Sequence, residues 1–99
     1  MSDCAWQLNE SGHVAFNGVL TRASVPDIWK QRKQWLQGEQ ALTFDLQQLE
    51  KIDSAGVAML LEVKRELRAQ QRDLVIKNAN QQLTAMIRVS GVDTLLELA

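Results

Sequence analysis

The spacing of apolar residues changes several times along the chain, and each change marks an element. Val14 and Phe16 alternate with small or polar neighbours within His13–Leu20, the period-2 pattern of a half-buried strand. Ala5–Asn9 predicts a shorter strand before it, and Ser11-Gly12 between the two suits a hairpin turn. Val25, Ile28, Trp29, Arg32, Trp35 and Leu36 then recur at helical spacing. Ser24 stands where a cap belongs, Pro26 and Asp27 suit the first turn, and Gly38 is a natural terminator. Ala41–Leu46 predicts a third strand, followed by a short link that ends in Ile52.

A second helical pattern runs from about Ala55 to Gln70. Val57, Leu60, Leu61, Lys64 and Leu67 mark its inward arc, with the Lys64 stem lying along it. Glu62, Arg65, Glu66 and Arg68 form a solvated face. Met59 falls roughly 120° from the centre of the arc at 100° per residue, which leaves it either simply exposed or the apolar part of a docking patch. Arg72-Asp73 turns into a strand over Leu74–Lys77, and Asn78 or Asn80 caps a helix carrying Leu83, Met86 and Ile87. Gly91 with Val92 suits the end of that helix, and Leu95, Leu96 and Leu98 close the core. Strands alternating with helices predict an α/β layer architecture, and the opening hairpin makes its sheet mixed.

Asp53-Ser54-Ala55-Gly56 lies in the turn between the third strand and its helix. Ser54 is a favourable N-cap whose loss would cost about 1 kcal/mol if it caps. Asp53 adds negative charge where the helix dipole favours it, and Gly56 permits close approach of another group. Such a turn serves as a cap, an anion site, a phosphorylation site or a docking point.

The stretch Ile52-Asp53-Ser54-Ala55-Gly56-Val57-Ala58-Met59-Leu60-Leu61 resembles the signature of STAS domains, the family that includes anti-sigma-factor antagonists. Phe16-Asn17-Gly18-Val19-Leu20, Leu74-Val75-Ile76-Lys77-Asn78-Ala79 and Arg88-Val89-Ser90-Gly91-Val92 resemble further segments of that family in the same order. The resemblance covers nearly the whole chain. It implies a single STAS domain over residues 1–99, with a STAS-like mixed β-sheet covered by helices on one face.

In phosphorylatable members the hydroxyl after the Asp takes the phosphate, and that position here is Ser54. The next residue is often Ser or Thr in that subgroup, whereas this chain has Ala55; Val19 and Leu20 stand where an acidic residue commonly follows the strand glycine. A stand-alone STAS chain of this size with tryptophans is also similar to the small MlaB-type subunit of the Mla phospholipid ABC transporter. That likeness implies a non-catalytic, cytoplasmic subunit that binds and regulates the transporter's ATPase in maintaining outer-membrane lipid asymmetry. The implied contact surface is Asp53, Ser54, Ala55, Gly56 and Met59, and contact with the membrane runs only through the complex. The alternative is an anti-sigma-factor antagonist that binds a serine kinase and is released by phosphorylation of Ser54. Nucleotide binding, known in some members, has no residue here to single it out.

Composition narrows the chemistry. Eleven basic residues face twelve acidic ones in 99, so no basic excess points to nucleic acid or anionic lipid. One His and one Cys far apart make a metal site unexpected. Neither a G-x-x-x-x-G-K-[ST] nor a G-x-G-x-x-G loop is present, and no cofactor is expected. A nucleophilic Ser54 would need a base and an oxyanion hole; His13 is expected exposed at a strand start, without a partner for that role. The residues before Trp6 carry no basic segment leading into an apolar stretch, and no run approaches the ~20 apolar residues of a membrane span. Trp29 and Trp35 are expected to pack on the sheet, with one of them a candidate to reach a partner.

Overall fold

A computed structural model of the chain describes residues 4–10 and 12–89. Strands β1 (Cys4–Glu10) and β2 (His13–Leu20) form an antiparallel hairpin. β3 (Leu42–Ile52) and β4 (Leu74–Lys77) add in parallel, giving the sheet order β1-β2-β3-β4. Helices α1 (Val25–Lys30) and α2 (Arg32–Trp35) cross from β2 to β3, α3 (Ser54–Ala69) crosses from β3 to β4, and α4 (Gln81–Val89) follows β4.

The helices cover one face of this mixed sheet. Val14, Phe16 and Leu20 of β2, Leu42, Phe44 and Leu46 of β3, and Leu74 and Ile76 of β4 share a core with Ile28, Trp35, Leu60, Val63, Leu67, Leu83 and Ile87 of the helices. Trp35 is fully buried with its ring edge-on to Phe16 and Phe44, and its Nε1 donates to the Ile28 carbonyl at 3.2 Å. The buried Arg72 guanidinium fastens the α2–β3 connection by donating to the carbonyls of Leu36, Gln37 and Gln40 at 2.7–3.0 Å. Gly38 in that connection has φ 97°, a conformation in which glycine avoids a Cβ clash.

Two features depart from the pattern read along the chain, and the structure decides between Asn78 and Asn80 as the cap of α4. The helix expected as one piece across Trp29 and Trp35 is two, divided at Gln31, whose side-chain oxygen accepts from Trp6 Nε1 at 2.6 Å. The expected link after Leu46 is strand: β3 continues to Ile52. Register shifts between Ala15 and Asn17 and between Gly18 and Val19 of the partner strand each give β3 one extra residue. These bulges let Leu46, Leu49 and Ile52, spaced by three rather than two, all reach the core. Asn80, rather than Asn78, caps α4 by accepting from Leu83 N at 2.8 Å. Asn78 instead adopts φ 62° and donates to Asp45 at 3.0 Å. The expected ending at Gly91 and Val92 and the closing leucines lie outside the described residues, as does Ser11 of the hairpin.

Candidate functional site

The second bulge of β3 carries the chain to Ile52 on the core side, so Asp53 emerges at the rim where β2 and β3 both end. Asp53 is extended (φ −115°, ψ −172°) and its backbone N donates to Leu20 O at 3.3 Å. Its side chain, not that of Ser54, caps α3: Oδ1 accepts from Gly56 N at 3.1 Å. Oδ2 accepts from Arg22 N at 2.9 Å and ties the β2–α1 loop to the same helix end. Burial pushes the Asp53 carboxyl upward, but backbone donors from Arg22, Gly56 and Ala55, aided by the Arg22 charge, outweigh it and hold the pKa below the usual value.

Gly56 is buried in the first turn of α3. A Cβ there would run into the Leu20 carbonyl oxygen and the Ile52 side chain, so only glycine lets the helix sit this close on the strand ends. Ser24 secures the other side of the rim. It is buried, donates to Val19 O at 2.7 Å and accepts from Thr21 N at 3.0 Å, so it braces the loop instead of capping α1.

Ser54 is thereby released from the capping role expected of it. It is the first residue of α3, exposed, and among the described residues no group hydrogen-bonds its hydroxyl. Ala55 beside it is half-buried. Met59 does not stand on the surface: it is 3% exposed, because α1 covers that flank of α3. Val25 and Trp29 of α1 face Ala55, Ala58, Met59 and Glu62 of α3 across a shallow, mostly apolar groove. Met59 forms part of its floor, and Ala58 and Glu62 are exposed along it. Trp29 is half-buried, with its ring 6.4 Å from that of Trp35 and the Arg32 guanidinium 4.7 Å from its centre. Arg32 also donates to Trp29 O and lies 3.9 Å from Glu66, so the groove wall is held from behind.

The structure therefore gathers Asp53, Ser54, Ala55 and Gly56 at one rim, with Asp53 and Gly56 building it and Ser54 presented by it. Val25, Ala58 and Glu62 are lining residues that periodicity alone does not single out as a surface; Trp29 was the available signal. His13 is exposed at the start of β2, at the opposite end of the sheet from Ser54. Among the described residues no group of three His, Cys, Asp or Glu side chains is placed to hold a metal ion, and no helix is long and apolar enough to cross a membrane.

A family model described as "Mlab, STAS domain" matches residues 6–97. Two solved structures share the fold. One is the crystal structure of an anti-sigma factor antagonist from Mycobacterium paratuberculosis, with TM-score 0.79 and 16% identity, covering 96% of this chain and 84% of that one. The other is the anti-sigma factor antagonist SpoIIAA in its unphosphorylated form, with TM-score 0.72 and 20% identity, covering 97% of this chain and 87% of that one. No curated protein matches the sequence.

Proposed function

The chain belongs to the MlaB-type STAS domain family, and we propose that it is a non-catalytic subunit that binds and regulates the ATPase of a phospholipid-transporting ABC complex. The observation that carries this reading is the division of labour at the α3 N-terminus. Asp53 takes the structural role, and Ser54 is left outward with an uncommitted hydroxyl beside the α1–α3 groove. A rim built this way presents a hydroxyl and an apolar trough together, the mixture a protein partner desolvates well. Binding regulates the ATPase by differential affinity for its assembled conformation. The protein meets the membrane only through that complex, in the cytoplasm.

The description of the family model supports a transporter subunit over a sigma-factor regulator. The accessible Ser54 and the likeness to two anti-sigma factor antagonists favour the second reading, in which a serine kinase is the partner and a phosphate on Ser54 ends the contact. Ala55, standing where that subgroup often has a second hydroxyl, counts against it.

Affinity purification of the tagged protein from its own cells separates the two. An ABC ATPase is expected to co-purify stoichiometrically; recovery of a sigma-regulating kinase alone overturns the transporter reading. Ser54→Glu and Ala58→Arg test the surface. Both positions are exposed, so the fold is expected to survive while the complex weakens at least tenfold, about 1.4 kcal/mol. Unchanged binding by both variants removes this rim from the interface. Met59→Asp is unsuitable because it would bury a charge.

A further inference from the structure

Of the described residues that line the α1–α3 groove, only Glu62 is charged. Its carboxylate lies 3.5 Å from the Arg65 guanidinium one turn further along α3. Arg32, which braces the Trp29 wall, has Glu66 at 3.9 Å. At the rim, the Asp53 carboxylate is committed to the backbone donors of Arg22 and Gly56, beside the Arg22 charge. The charges that touch the groove are thus answered within this chain. What it leaves open is apolar: Val25, Trp29, Ala55 and Ala58, with Met59 in the floor.

Size narrows the occupant further. The groove encloses about 290 Å³, just under the roughly 300–1,000 Å³ of small-molecule sites. Between Ala55 and Glu62 it follows only about 10 Å of helix. That is room for a bulky side chain rather than a cofactor, and Ala55 and Ala58 contribute no more than a methyl group to fill it. The Trp29 ring is already oriented by Trp35 at 6.4 Å and by Arg32 at 4.7 Å, so little of its freedom is lost when a partner packs on it. Tryptophans held in this way are the usual anchors of protein interfaces.

We infer that the groove receives a large uncharged apolar side chain of the ATPase, seated between Trp29 and Ala58, and that this docking is made without an ion pair. The inference rests on the reading of the Ser54 rim as the ATPase's contact surface. A charged occupant would have to take Glu62 from Arg65 or lie unpaired against apolar walls, and the second alternative is costly.

The ATPase that co-purifies is the probe. Its affinity for the native protein is expected to change less than about threefold as sodium chloride rises from about 50 to about 500 mM, because added salt screens exposed charge pairs and spares apolar contacts. Ala58→Leu fills the groove and is expected to weaken binding at least tenfold. The position is exposed and leucine is a good helix former, so circular dichroism and the thermal midpoint should stay native. A larger loss of affinity with salt, or native binding by Ala58→Leu, overturns the inference while the ATPase reading stands. If the protein alone self-associates or binds phosphatidylcholine vesicles, and Ala58→Leu abolishes either, the occupant is a second copy or an acyl chain and the inference falls. Recovery of no ATPase removes the reading and this inference with it.

Discussion

Asp53 Oδ2 accepts a hydrogen bond from the backbone nitrogen of Arg22 at 2.9 Å, while the other oxygen of the same carboxylate caps α3 through Gly56 N at 3.1 Å. One side chain thus fastens the β2–α1 loop to the start of the following crossover helix. Asp53→Ala is expected to lower unfolding stability by about 1 kcal/mol for the cap, and further for the lost loop contact. Ser54→Ala, by contrast, should stay within about 0.5 kcal/mol of the native protein, as an exposed position without partners does. Urea titration of the two variants distinguishes this arrangement from one in which the serine caps.

The same carboxylate makes a pH-dependent contribution. Its pKa in the folded state lies below the usual value, so the folded protein binds the proton less readily than the unfolded chain. The resulting stability is fully present above the unfolded value of about 3.9 and is lost as the pH falls through the folded pKa. Asp53→Asn keeps an acceptor for Gly56 N but cannot ionise. Its stability, measured by denaturant unfolding from pH 6 downward, should fall less steeply than that of the native protein below about pH 4.

Gly56 leaves no room for a methyl group, since a Cβ would overlap both the Leu20 carbonyl and Ile52. Backbone cannot yield as a flexible side chain does, so Gly56→Ala is expected to cost about 1–3 kcal/mol and to shift α3 away from the strand ends. A lower denaturation midpoint with altered amide chemical shifts for Leu20, Asp53 and Ser54 would report it. Native stability in that variant would contradict the packing described.

Where the sequence and the structure part company, the cause is a neighbour that a single element's period does not contain. Leu46, Leu49 and Ile52 break the alternation of a flat strand, and the two bulges that reconcile them exist only in the pairing with β2. Met59 lies off the arc defined by Val57, Leu60 and Leu67, yet α1 packs on that flank and widens the buried face. The mixed sheet, β4 at Leu74–Lys77 and the exposed turn at Ser54 were legible because each rests on local chemistry: a hairpin, a short apolar run, a signature. Which member of Asp53-Ser54 caps the helix was not, because both residue types do so and the choice depends on where Arg22 N lies.

Lys64 gives the last test. The whole residue is 6% exposed, and among the described residues its ammonium has no hydrogen-bond partner and lies 3.9 Å from Asp73 Oδ1, itself receiving the Leu74 N–H. Asp73 is half exposed, so water screens the pair and its attraction is small. A buried charge with so little compensation is a cost that burial of the aliphatic stem offsets. Lys64→Met keeps the stem and removes the charge, and the thermal midpoint is expected to stay level or rise. Asp73→Asn leaves the ammonium buried with less compensation and should lower stability on the order of 1 kcal/mol. A Lys64→Met variant less stable than Asp73→Asn would mean that the ion pair, rather than the stem, holds α3 to the start of β4.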